Sequence, residues 1–199
     1  MPQSLIPSKK TFLQKISGIV PYLTREEVCQ LAEFVKLNNR KGERDGLLIQ
    51  TLFQTGLRVS EALSLTPRSV SQYNGHSVIN IKGKGRKLRM VACPDSLAHR
   101  IKSYAYTKGL NLDDRIFKIS RKRAWQIVKW AGEKAGIQKK IWPHLLRHSD
   151  AIERLRQTGN PKALQYHLGH NSTLMTMRYL STLTAEEALK IQQEVEFEK

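Results

Sequence analysis

The sequence predicts a mainly α-helical domain with one small antiparallel β-sheet, an α+β fold. Apolar residues recur at helical spacing over most of the chain, and several of these runs open on a capping residue. One region instead alternates apolar and polar residues, on both sides of Gly83-Lys84-Gly85-Arg86. The 199 residues suffice for one well-packed domain of ordinary size. No internal repeat and no low-complexity tract interrupts the pattern.

Residues 1–21 mix Pro2, Pro7, Ser4, Ser8 and Lys9-Lys10 with a few apolar residues, which reads as a basic arm or linker, or a frayed terminus. Thr24 and Glu27 form a capping box ahead of Val28, Leu31 and Val35 at helical spacing. A second helix spans about 43–54, with Leu47, Leu48, Thr51 and Leu52 on its inner side. Thr55-Gly56 ends it, because glycine readily takes the left-handed cap. A short helix carries Ser60-Glu61-Ala62-Leu63 and stops near Pro67. Residues 77–82 and 87–91 form a hairpin with a very basic tip. Helices follow at about 95–107, 121–135, 144–157 and 161–167. Asn160 followed by Pro161 is a good cap with proline at the first helical position. Thr184 and Glu187 make a last capping box, for a tail helix within 181–199.

Charge narrows the partners. Lys and Arg number 34 against 17 Asp and Glu, a formal charge of +17. Such an excess attracts polyanions, and phosphate contacts by Lys and Arg release counterions. Nucleic acid is therefore the leading partner. An anionic membrane is the rival, but no basic amphipathic helix or anchored polybasic run supports it. Cys29 and Cys93 fit no metal spacing and give no disulfide framework, as expected of a reducing cytosol. Met1 to Lys10 lacks the apolar core of a signal peptide, and the apolar stretches are too short to span a bilayer. The expectation is a cytoplasmic protein associated with nucleic acid, with no cofactor and no metal.

Four segments carry groups suited to phosphate chemistry. In Pro143-His144-Leu145-Leu146-Arg147-His148, His144 and Arg147 share one helix face and can point at one ligand. A zinc reading of His144 and His148 lacks the Glu of a metalloprotease helix and sets Arg147 against the metal. Leu168-Gly169-His170 is followed after an Asn-Ser-Thr turn by Arg178-Tyr179. Thr55-Gly56-Leu57-Arg58 places an arginine after a glycine turn at a helix start, where anions bind. The hairpin tip offers Lys84, with Arg86, Lys87 and Arg89 beside it. Each segment alone is equally consistent with a solvated or packing role. Arg121, Lys122 and Arg123 are further expected DNA contacts.

The order Arg, Lys, His-x-x-Arg, Gly-His, Tyr resembles the tyrosine recombinases, the family of phage integrases and Xer-type resolvases. The resemblance covers residues 22–180. It rests on "TGLRVSEALSL", "IKGKGRKLRMV", "HLLRHS" and "YHLGHNSTLMTMRYL". It implies a catalytic set of Arg58, Lys84, His144, Arg147, His170 and Tyr179. Arg58 and Arg147 would clamp the scissile phosphate, since a guanidinium donates two parallel bonds and stays charged. His144 and His170 would complete the cage, with His144 also a proton acceptor. Lys84, or Lys87 in a shifted register, would protonate the departing 5′ oxygen. Tyr179 would attack phosphorus and form a 3′-phosphotyrosyl bond. Glu61 would buttress the first arginine, and His148 would pack or bond backbone. The resemblance also implies double-stranded DNA as substrate and a homotetramer on it.

Two features depart from the pattern, and the tail is unlike the rest of the chain. Only about twenty residues precede the resembling region, where the family carries a separate DNA-clamping domain; a short recombinase and a domain of a longer protein both fit. Asp150 stands where the family tends to place an apolar residue, and it either pairs with Arg154 or contacts a neighbour. The tail helix is acidic, with a stripe of Ala188, Ile191 and Val195, and docks either on a second protomer or on its own domain. The expected activity is site-specific recombination. Relaxation of the type IB topoisomerase kind, a non-cleaving DNA-binding regulator and an RNA-binding protein are the alternatives.

Overall fold

The computed structural model describes residues 21–82, 88–169, 176–177, 179 and 181–183. The arm up to residue 20, the hairpin tip with Lys84, Arg86 and Lys87, His170, and the tail from Thr184 lie outside the described residues.

Helix α1 (Arg25–Asn38) opens on the expected capping box. The Thr24 amide donates to Glu27 Oε2 at 2.9 Å, and the Glu27 amide donates to Thr24 Oγ1 at 3.2 Å. Its buried face is Val28, Leu31, Ala32 and Val35. Helix α2 (Gly42–Thr55) is the central helix, with Leu47, Leu48, Ile49, Leu52 and Phe53 all buried. Its buried threonines are satisfied locally: Thr51 Oγ1 donates to Leu47 O at 2.8 Å, and Thr55 Oγ1 to Thr51 O. Gly56, at φ 58°, closes α2 in the left-handed conformation. Helix α3 (Val59–Ala62) is a single turn, one residue earlier than expected.

A 3-10 turn at Pro67–Ser69 leads into a three-stranded antiparallel sheet of β1 (Val70–Tyr73), β2 (His76–Lys82) and β3 (Leu88–Ala92), in the order β1-β2-β3. The sequence reading has the β2–β3 hairpin and lacks β1. Ser71-Gln72 hides the alternation, yet Asn74-Gly75, both at positive φ, is the two-residue turn that favours tight hairpins. Register pairs Ile79 with Val70 on one side and Val91 on the other, and all three are buried.

Helices α4 (Asp95–Thr107), α5 (Arg121–Lys134), α6 (Pro143–Thr158) and α7 (Pro161–Leu168) match the expected segments to within a residue or so. Asn160 Oδ1 accepts from the Ala163 amide at 2.9 Å, so the cap before Pro161 forms. The main core joins α1, α2, the sheet, α4, α5 and the start of α6. A second cluster gathers Ala151, Ile152, Leu155, Leu164 and Leu168 around Tyr179 and Leu183. Residues 176–177, 179 and 181–183 are helical. No helix among the described residues is long and apolar enough to cross a membrane.

Gly132 on α5 packs against Ile141, in the segment that leads into α6. A methyl group there would stand 2.6 Å from Ile141 Cβ, inside contact distance. Gly132→Ala should therefore lower stability by about 1–3 kcal/mol through overpacking, against the helix-propensity gain of about 1 kcal/mol that alanine normally brings. Urea unfolding checks this as a lower midpoint at unchanged slope.

Candidate active site

The site grows from the end of α2. Gly56 turns the chain, Leu57 is buried, and Arg58 caps the start of α3 with its side chain 46% exposed. Glu61, one turn on, accepts from the Arg58 amide at 2.8 Å and from its guanidinium at 3.1 Å. The buttressing role expected of Glu61 has this geometry.

Glu61 also holds Arg89, whose Nη2 lies 3.0 and 3.1 Å from the two carboxylate oxygens. Arg89 Nη1 donates to His167 O at 2.6 Å. The Arg89 guanidinium, expected as a DNA contact, is bonded within the protein to Glu61 and His167 O. It ties β3 to the end of α7. Gly169, at φ 63°, lies so close that a Cβ there would stand 2.8 Å from Arg89 Nε. Burial pushes the Glu61 carboxyl up, but the Arg58 amide and the Arg89 and Arg58 cations outweigh it and hold the group below its ordinary value.

Helix α6 begins with Pro143 in its first turn and presents His144 and Arg147. Arg147 is 1% exposed. Its guanidinium donates to Gly56 O and, at 2.9 Å, to Leu168 O. Burial pushes its pKa down to about 10, which still leaves it charged at neutral pH. His144 stands at the solvent edge. Desolvation and the neighbouring Arg147 and Arg58 cations lower its pKa below the usual histidine value. Its imidazole is therefore neutral near pH 7, as a proton acceptor must be.

One cleft of about 490 Å³ is lined by Arg58, His144 and Arg147 together with Arg121 and Lys122 from the first turn of α5. Arg123 is exposed on the same turn but does not line the cleft. Tyr179 is 6% exposed, in the second core cluster, with its ring 5.1 Å from that of His148. It lies within electrostatic reach of Arg147. Lys84, Arg86, Lys87 and His170 lie outside the described residues. Among the described residues no group of three or more His, Cys, Asp or Glu is placed to hold a metal.

Asp150 resolves in favour of Arg154: Oδ1 accepts from Arg154 Nε at 2.7 Å, and Oδ2 is 3.7 Å from His167 Nε2. Arg154 Nη2 also donates to Gln54 O at 2.6 Å. The Arg89–Glu61 pair and the Arg154–Gln54 O bond are the supporting contacts that local sequence did not reveal. Their partners stand 28 and 100 positions apart.

With this geometry in hand, comparison with known proteins is direct. Residues 21–186 match the phage integrase family, and the chain belongs to that family. It is 35% identical over 179 residues to tyrosine recombinase XerA of Thermococcus kodakarensis, covering 86% of this chain and 61% of that protein. The chain thus spans under two thirds of that relative's length. It superposes with a TM-score of 0.70 and 26% identity on the XerH site-specific recombinase bound to its difH substrate, over 85% of this chain and 53% of that one. On the catalytic domain of bacteriophage HP1 integrase the TM-score is 0.62 at 26% identity, over 86% of this chain and 94% of that domain. The fold is that of a tyrosine recombinase catalytic domain.

The Glu61 contacts have a pH signature. A carboxyl with a depressed folded pKa adds stability above its unfolded pKa, which is lost as pH falls through the folded value. Glu61→Gln should therefore be less stable than the parent at pH 7, and the gap should close as pH drops below the ordinary value of 4.5. Thermal unfolding across pH 3–7 measures it.

Proposed function

We propose that the chain breaks and rejoins double-stranded DNA by site-specific recombination, through a covalent link to Tyr179. The observation that carries this reading is the convergence of Arg58, His144 and Arg147 on one cleft, with Tyr179 close to Arg147. The likeness to a protein named tyrosine recombinase XerA, and to the XerH site-specific recombinase bound to its difH substrate, supports it.

In this reading Arg58 and Arg147 hold the non-bridging oxygens of the scissile phosphate. They offset charge on the phosphorane, the kind of fixed electrostatic help that dominates phosphoryl transfer. A free tyrosine has a pKa of ~10, so little phenolate exists at pH 7. His144 accepts the phenolic proton as Tyr179 Oη bonds to phosphorus. The bond to the 5′ oxygen breaks, and Lys84 supplies that oxygen's proton; Lys87 is the alternative donor. His170 adds a further bond to the phosphate. The phosphotyrosyl ester keeps the bond energy, so an incoming 5′ hydroxyl reseals the strand without ATP.

Arg121, Lys122 and Arg123 serve as backbone contacts beside the cleft, and Arg86 does so from the hairpin tip. Exchange between two duplexes cuts four strands, and one tyrosine per chain then calls for a homotetramer.

The test uses nicked duplexes of randomised sequence in EDTA, quenched with detergent, since a nick lets the freed 5′ fragment diffuse away. Protein–DNA adduct should accumulate and vanish in Tyr179→Phe. Adduct persisting in that variant, or none across the whole library, contradicts the reading. Arg58→Lys should slow adduct formation by roughly 100-fold, because an ammonium cannot reproduce the planar fork. The rate should stay flat as pH falls to 6.5, the ordinary histidine value, and drop only below it, when His144 gains its proton.

A further inference from the structure

Of the three tryptophans, Trp130 packs on Phe34, with ring centroids 5.4 Å apart. The other two are open: Trp125 is 47% exposed and Trp142 is 37% exposed. Both line the cleft of Arg58, His144 and Arg147, and both also line an adjoining cleft of about 650 Å³. They form the boundary between the two. Trp142 immediately precedes α6, two residues before His144, and Trp125 sits one turn beyond Arg121.

The second cleft is basic as well as aromatic. Lys129 lies one turn from Trp125, its Nζ 5.2 Å from the ring centroid. Lys140 lines the same cleft and is exposed. Lys139 is committed to Glu27 at 2.6 Å, and Glu133 to Lys129 at 3.6 Å. Phosphate-holding cations on one side of two open indole rings, with further lysines on the other, match a nucleotide strand. Its charge tracks the cations and its bases need flat apolar faces. A base within a duplex is already stacked on both faces. An unpaired base is not.

We infer that Trp125 and Trp142 form a stacking platform for an unpaired nucleotide beside the phosphate held by Arg58 and Arg147. This rests on the recombination reading, in which a cut strand must leave one complement before it pairs with another. The platform holds the nucleotide between those states, and Lys140 faces the phosphate beyond it.

The test is a binding measurement on the full chain carrying Tyr179→Phe, so it does not depend on cleavage. The ligands are one DNA duplex fully paired and the same duplex with a short internal mismatch. The mismatched duplex should bind roughly tenfold tighter and quench tryptophan emission. Trp125→Ala and Trp142→Ala should each lose that preference while keeping affinity for the paired duplex. Trp125→Phe should retain part of it, and Trp130→Phe all of it. Equal binding of the two duplexes, or a preference that survives both alanine variants, overturns the inference. Adduct formation without mismatch preference defeats the platform alone. Mismatch preference without adduct on the nicked library defeats the cleavage reading alone.

Discussion

The buried guanidinium of Arg147 is the contact on which the site depends. A buried charge is costly unless its donors are satisfied. Arg147 meets this demand at two helix ends, bonding Gly56 O after α2 and Leu168 O at the end of α7. Both ends turn through a left-handed glycine, Gly56 or Gly169, and both carry the negative end of a helix dipole. One cation therefore fixes the turn that presents Arg58 and the turn that leads toward His170. A guanidinium has five N–H donors, so binding two carbonyls leaves others for a phosphate.

Around that contact the other ions act as braces. Glu61 links Arg58 on α3 to Arg89 on β3, and Arg89 reaches His167 O on α7. Asp150 steadies Arg154, which bonds Gln54 O at the end of α2. Two arginines of α6, one two turns after the other, thus satisfy carbonyls at the same helix end. Through Arg147 and Arg154, α6 and the end of α7 are tied to the end of α2. Polar groups placed this way hold the cleft residues with contacts that no apolar side chain would replace in kind.

The parts legible in the sequence are those with local signals. The Thr24–Glu27 capping box, the Asn160-Pro161 start and the glycine stop at Gly56 each act within four residues, and the elements they bound stand where expected. The convergence of Arg58, His144 and Arg147 followed from motif order. What escaped depends on distant partners. Arg89 reads as one more cation in a basic hairpin until Glu61, 28 positions away, claims it. Arg147 reads as a phosphate-facing cation, and nothing local announces its carbonyl acceptors, which lie 91 and 21 positions off. Strand β1 has too little alternation to announce itself, though its Asn74-Gly75 turn does. The exposure of Trp125 and Trp142 depends on packing that no local pattern encodes.

Hydrogen exchange in Arg147→Lys, with secondary structure checked by circular dichroism, tests most directly whether Arg147 ties the two helix ends together. A lysine keeps the charge and cannot reach both carbonyls at once. Peptides covering 54–62 and 164–169 should lose protection together, while those of the β2–β3 ladder stay protected. Unchanged exchange in both segments would contradict the central place given to Arg147.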